Sequence, residues 1–492
     1  MVGAPRFARF WRYVGVFVLT LPALAQFGQP LAQRNVFSPE TLADMKRIQN
    51  AVLADDYAWT QLSHLTDNIG PRPAGSPQAQ AAAEYVAAEM RKLGLDVQLE
   101  KCTVPHWVRG QEIGELVDYP GMAPGTKQKV VLTALGNSVA TPPDGITAEV
   151  ISVQNMVELQ ALGRDKVLGK IVVFNYLYDE QLAQQGMGLA AYGQSVFYRV
   201  AGATAAAKLG AVAALNRSSG GADYRLPHTG VLIYAPDTPR IPAGSIAAED
   251  AMLVDRLTKQ GRVRMHLTLT PQTLEPATGY NVIADLKGSE HPEQVVIVSG
   301  HLDSWDLGTG AIDDGAGVVV SMETVKAIKQ LGLIPKRTIR YIAWMDEELG
   351  GSGGKQYLAD HTNDLGNQFA AIETDLGAGH PVGINANGPP ELLALLQPVG
   401  NVLSSQGAAM IVVGGGGSDI GPLMMKGVLG FSPIQDVRTY FHYHHTAADT
   451  LDKVNPQFLR ENSAVIAVLT YALATIPQDL PKWPPGQGPI RE

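Results

Sequence analysis

Cysteine is almost missing from this chain: Cys102 is the only one among 492 residues, so no intrachain disulfide can form and a Cys-rich zinc finger is excluded. Any zinc must therefore sit on His, Asp and Glu. Histidine is scarce too, with 11 in the chain, which gives weight to any place where several gather. Beyond the N-terminus there is no long apolar run to serve as a membrane span. Positive charge is not in excess: the formal net charge is −9, which argues against a nucleic-acid partner. Extensive disorder is excluded as well, because 45% hydrophobic and 17% charged residues are the proportions of an ordinary globular protein.

What is present begins with Arg6, Arg9 and Arg12, then the apolar run Val14 to Leu21 and the small-x-small sequence Ala23-Leu24-Ala25. This pattern predicts a signal peptide over residues 1–25, an exported (secreted or periplasmic) protein, and no membrane attachment after cleavage. The leader carries three arginines and no acids, so its removal takes the net charge from −9 to −12.

A chain of this length exceeds what one core accommodates, roughly 250 to 300 residues, so two domains of unequal size are expected. Leu42, Met45, Ile48 and Val52 recur at helical spacing and predict a helix from Thr41 to Asp55. A second is predicted at Pro77 to Lys92, after the turn-rich Gly70 to Gly75, and Asp96 to Val104 alternates like a strand. From Arg109 to Pro271 the texture changes to short strands, turns and Gly/Ala-rich stretches, with strand Lys170 to Phe174 and helix Ala201 to Lys208. A βαβα pattern then resumes: strand Val295 to Ser299, helix Gly317 to Leu331, strand Thr338 to Met345. The fold class that follows is α/β, a mostly parallel mixed sheet flanked by helices. Its domain would be discontinuous (41–108 and 272–476), interrupted by a mainly β insertion over 109–271 and followed by a Pro-rich tail over 477–492.

Candidate chemical groups fall where strands of such a sheet end, at the edge where loops share a crevice. One strand runs into His301 and Asp303. Gly310 to Gly317 encloses Asp313 and Asp314 just before a helix, and simple capping accounts for one of the two acids. Another strand ends in Asp346-Glu347-Glu348 beside glycines, a costly place for charge without a counter-ion. Glu373 and Asp375 close an apolar segment, and His442, His444 and His445 put three histidines into four positions. Together these form a thiolate-free His and carboxylate set, expected to converge from five strand ends and suited to zinc. Two zinc ions would need a bridging carboxylate, and an unliganded one to take a proton from water; the adjacent Glu347 and Glu348 suit a base and a ligand.

Gly300-His301-Leu302-Asp303-Ser304-Trp305, Gly310 to Gly317, Asp346 to Gly350, Glu373-Thr374-Asp375 and His444 to Thr450 stand in the order seen in the M28 family of co-catalytic zinc peptidases. The chain resembles that family strongly over Tyr280 to Val454, and within it the branch containing plasma glutamate carboxypeptidase (carboxypeptidase Q). The resemblance implies the zinc exopeptidase fold with an inserted protease-associated domain that does no chemistry. It implies two zinc ions per chain, one on His301 and Asp375, the other on Glu348 and His445, with Asp313 between them and a cis peptide at Asp313–Asp314. It gives Glu347 the role of general base acting on a zinc-bridging water, and makes Asp303 the acceptor of the free imidazole N–H of His301. Relatives often carry Tyr where this chain has His444, so His444 is the candidate for stabilising the oxyanion. The Gly414 to Asp419 loop resembles one that lines the cleft, with Ser418 and Asp419 as candidate substrate contacts.

The function so implied is hydrolysis of dipeptides or short peptides, with release of N-terminal residues, and the same branch suggests a homodimer. Rival readings are a single-zinc glutaminyl cyclase of the same fold and a catalytically silent binding protein. Intact Glu347 speaks against silence, and end preference and side-chain specificity are not legible.

Overall fold

The computed structural model describes residues 36–483, so the expected leader and residues 484–492 of the tail lie outside the described residues. The first helix is Pro39–Leu53, opened by Ser38, whose hydroxyl accepts the Thr41 amide at 3.1 Å, and by Pro39 with its fixed φ. Met45, Ile48 and Val52 form its buried face, as their spacing demands, and pack on the C-terminal helix Pro456–Thr475. Helix Pro77–Lys92 has the expected bounds, capped by Ser76 on the Ala79 amide.

One eight-stranded mixed sheet organises the chain around this core. Its centre is parallel: strands Arg337–Trp344, His291–His301, Gln368–Glu373 and Leu429–Gln435 lie side by side in that order. Val295 to Val298 are all buried, the continuous apolar run of a strand covered on both faces. Antiparallel strands flank the centre. Asp96–Val108 pairs with Gln272–Leu286, which pairs with Arg337–Trp344, while Pro381–Ala386 closes on Leu429–Gln435 at the other side. Helices Ala316–Gln330 and Pro456–Thr475 cover one face, and helix Ser352–Asp360 with Ile420 and Leu423 packs on the other.

The chain leaves this sheet at Val108 and returns at Gln272, and those two residues pair with each other. An excursion whose ends meet can be long without disturbing its host. Residues 112–269 form a second eight-stranded sheet, antiparallel at Glu112–Asp118 and Arg264–Leu269 and parallel from Ile146–Val153 through Ile171–Phe174 and Ala213–Arg217 to Ala243–Ile246. The expectation of a mainly β insertion is corrected here. This region also carries helices Met156–Val167, Gly188–Lys208 and Ala248–Thr258, because parallel strands need covered crossovers. The Ala-rich segment is thus the end of a 21-residue helix, whose first half carries too much polarity and glycine to reveal it by periodicity. Trp305 from the main sheet meets Trp107 edge-on, ring centroids 6.3 Å apart, and joins the apolar cluster of the second sheet. No described helix is long and apolar enough to cross a membrane.

Candidate metal centre and catalytic cavity

Three of the parallel strands deliver the site. His291–His301 ends on His301 itself, Arg337–Trp344 runs into Asp346 to Glu348, and Gln368–Glu373 stops two residues before Asp375. Asp313 stands in the turn before helix Ala316–Gln330 and is joined to Asp314 by a cis peptide bond. The two neighbouring acids divide the work. Asp314 faces inward, accepting the Gly317 amide at 3.0 Å and the His301 amide at 3.1 Å, and so caps the helix, while Asp313 faces the site. Gly317 has to be glycine, since a Cβ there would lie 1.9 Å from the Thr374 carbonyl oxygen. His445 follows the short helix Tyr440–Tyr443, so the expected convergence of five strand ends is in fact three strand ends, a helix-capping turn and a helix exit.

Two triads result, and Asp313 belongs to both. His301 Nε2 lies 3.3 Å from Asp313 and 3.3 Å from Asp375, and His445 Nε2 lies 3.1 Å from the other Asp313 oxygen and 2.9 Å from Glu348. Each triad's donor atoms fall within 4.8 Å of one another. The tautomers follow from the far side of each ring. His301 Nδ1 meets the Asp303 carbonyl oxygen at 3.0 Å and His445 Nδ1 meets that of Thr229 at 3.3 Å. A carbonyl only accepts, so Nδ1 carries a proton, and Nε2 is the nitrogen that faces the carboxylates.

Asp303 itself departs from expectation. Its carboxylate is 3.8 Å from His301 Nδ1 and instead accepts the amides of Asp346, Glu347 and Glu348 at 2.8, 3.1 and 3.3 Å. Completely buried, it shapes the acidic turn and touches no reacting group. Asp449 does the same for the other turn, accepting the Ala311 and Ile312 amides at 2.8 and 2.7 Å. Arg72 joins the two, donating to the carbonyls of Leu302, Thr309 and Gly310 at 2.7, 2.7 and 2.8 Å. In the sequence it had looked like part of a loop. The Arg-Pro pair inside Gly70 to Gly75 was the only hint.

The electrostatics call for a cation. Burial pushes Glu348 up to about 8 and Asp375 up to about 6, and behind them burial with repulsion from Asp375 pushes Glu373 to about 8. Burial opposes a positive His301, but Asp375 and Asp313 outweigh it and hold the ring well above its ordinary range. Burial likewise opposes the Asp313 anion, and the surrounding His444, His301 and His445 hold that carboxyl well below its usual value. One oxygen of Glu348, Oε1, is buried without a hydrogen-bond partner.

The triads open into a cavity lined by Glu347, Glu348, Asp375, Ser418, His444 and His445, with Leu376, Tyr440 and Phe441 as apolar wall. Leu189, Tyr192, Arg199 and Val231 of the inserted region complete it, a contribution that sequence spacing cannot reveal. His444 points Nε2 at Asp313, 3.4 Å away, and its Nδ1 takes a hydrogen bond from His228 Nε2 at 3.1 Å. His442 pairs with Glu180 at 3.1 Å, outside the cavity, and is excluded as a ligand. Of the two loop residues expected to contact substrate, Ser418 lines the cavity but Asp419 does not. Asp419 is 1% exposed, and its amide packs beneath the wall against the Glu373 carboxylate.

Comparison with known proteins gives the family. The model of peptidase family M28 matches residues 281–470, and carboxypeptidase Q of Bos taurus is 37% identical over 431 residues, 87% of this chain and 88% of that one. The chain belongs to peptidase family M28. A crystal structure of an M28 peptidase precursor from Shewanella amazonensis covers 91% of this chain and 99% of its own at 34% identity, with a TM-score of 0.85. BSAP, a zinc aminopeptidase from Bacillus subtilis, shares the fold with a TM-score of 0.63 at 21% identity, covering 87% of this chain and 97% of its own. Membership of the M28 family implies zinc. The residues present fit it: imidazole nitrogen and carboxylate oxygen without thiolate, a doubly used Asp313, and an orphaned Glu348 oxygen.

Proposed function

We propose that this M28 peptidase is a two-zinc exopeptidase that hydrolyses dipeptides or short peptides with a free N-terminus. The observation that carries the reading is Asp313, whose two oxygens face two different histidines, each with a further carboxylate at its side. His301 and Asp375 would hold one ion, His445 and Glu348 the other, and Asp313 would bridge. A single-metal cyclase has no use for the second triad. Zinc bound there would polarise the scissile carbonyl and make the attacking water more acidic.

The chain's own residues supply the rest. Glu347 lines the cavity beside its neighbour Glu348 and is left over from both triads, so it takes the proton from the attacking water and returns it to the leaving amine. His444, its Nδ1 filled by His228, presents Nε2–H to the cavity and stabilises the negative oxygen that develops on the carbonyl. Leu376, Tyr440 and Phe441 keep bulk water from the charges. In the same reading residues 109–271 are a protease-associated module that walls the cavity, the protein is exported after loss of residues 1–25, and it works as a homodimer.

The test is zinc content together with hydrolysis of a dipeptide panel by the wild type and by Glu347→Gln. Two zinc ions per chain, activity lost to chelators, and an inactive variant that still holds zinc are expected. One zinc per chain, or an active Glu347→Gln, would overturn the reading.

A further inference from the structure

Arg199, on helix Gly188–Lys208 of the inserted region, is 6% exposed and lines the cavity, yet among the described residues no carboxylate pairs with it. Its hydrogen bonds leave from Nη1, to Tyr192 Oη at 2.6 Å and the Thr229 carbonyl at 3.3 Å, and the same nitrogen lies 3.2 Å from His445 Nδ1. Nε is buried without any partner. Two partly buried guanidinium groups have carboxylate partners, Arg109 with Asp306 and Glu112 and Arg340 with Asp285, and the buried Arg72 is spent on backbone carbonyls. An unmatched buried charge is costly enough that it is retained only where something supplies the counter-charge.

The contact with His445 does not supply it. A metal-bound His445 donates through Nδ1 to Thr229, so that nitrogen has no lone pair left for a guanidinium. Gly230 shows how closely the two are pressed together: with φ of +131°, a Cβ there would lie 2.1 Å from Arg199 Nη1 and 2.8 Å from His445 Nδ1. The guanidinium thus stands one imidazole ring away from the triad of His445, Glu348 and Asp313.

We infer that Arg199 is the anchor for the terminal carboxylate of the substrate. Planar guanidinium and carboxylate match as a two-bond fork, and the unused Nε edge is the donor pair for it. One residue advances a peptide by about 3.8 Å. A carboxylate held one ring away from the metal triad therefore belongs to the residue directly after the scissile bond. This narrows the substrate class of the proposed peptidase to dipeptides, or to longer peptides cut at their last bond. It rests on that reading for the reaction but not for the anion site.

Two measurements keep them separable. Hydrolysis of Ala-Leu and Ala-leucinamide is compared in the wild type and Arg199→Gln. The wild type should favour the acid by roughly 10- to 100-fold in kcat/KM, and the variant should lose that preference. Equal wild-type rates on acid and amide, or an equal fall on both in the variant, overturn the inference. In parallel, calorimetry with N-acetylleucine and N-acetylleucinamide, neither of which is a peptide substrate with a free N-terminus, should show weaker binding of the acid alone in Arg199→Gln. Binding of the acid that is indifferent to Arg199 overturns the anchor. A zinc-loaded wild type that cleaves no dipeptide but still binds the acid through Arg199 overturns the peptidase reading and leaves the anion site standing.

Discussion

Glu347 and Asp303 both came forward as catalytic from their place in the motifs, and the structure separates them. Glu347 lines the cavity, whereas the Asp303 carboxylate is spent on three backbone amides of the acidic turn. Glu347→Gln should therefore retain zinc and lose roughly 100-fold or more in kcat, measured by elemental analysis and steady-state rates on one sample. Asp303→Asn should show the reverse signature. Glu348 is no longer held in place, zinc affinity falls roughly 10- to 100-fold, and activity returns with added metal.

A third residue has nothing to do with the site. Burial pushes Glu323 up to about 7, against a partial offset from Lys326, whose Nζ lies 3.3 Å from one of its oxygens. A carboxyl whose folded pKa is raised binds more protons folded than unfolded between about 4.5 and 7, so its contribution to stability falls as pH rises through that window. Glu323→Gln should leave stability nearly unchanged at pH 4.5 and raise it at pH 8, by up to roughly 3 kcal/mol in denaturant titrations. A variant that gains nothing between the two pH values would contradict this.

At the scale of elements, the helix Ala316–Gln330 and the strand His291–His301 are held at one close crossing. Gly317 approaches Thr374, and a Cβ at Gly300 would lie 2.5 Å from Asp314 Oδ2, the oxygen that accepts the His301 amide. Both glycines stand in the motifs that carry the family resemblance. Gly317→Ala should destabilise by roughly 3 kcal/mol and loosen Asp313, seen as a lower thermal midpoint and weaker zinc retention together. The short helix Tyr440–Tyr443 is the element that spacing misjudged. Four residues give no periodicity to read, and its burial comes from packing on Tyr192 and the neighbouring His444.

Across the whole molecule, the metal triads concentrate buried carboxylates that burial would rather see neutral. Zinc that binds only the folded chain adds to stability by mass action, about 4 kcal/mol at a thousand times its dissociation constant. Removing it with a chelator should lower the thermal midpoint by several degrees, and returning zinc, but not magnesium, should restore it. A midpoint indifferent to zinc would mean that the triads hold no metal in solution.

Sequence alone was enough for the host sheet and for the candidate groups around the site, because glycines, acids and histidines sit within a few residues of strands whose apolar runs announce themselves. The family resemblance singled out His301, Asp313, Glu348, Asp375 and His445 among them, and all five lie in the two triads. Spacing could not show the partners that arrive from far along the chain. Arg199 reaches the cavity, and His228 reaches the ring of His444 behind it, only because the paired strands at Val108 and Gln272 fold the inserted region back over the sheet edge. Nor could it separate Asp313 from Asp314, or Ser418 from Asp419. Adjacent residues share a sequence environment, and only packing determines which of the two side chains faces the solvent and which the backbone.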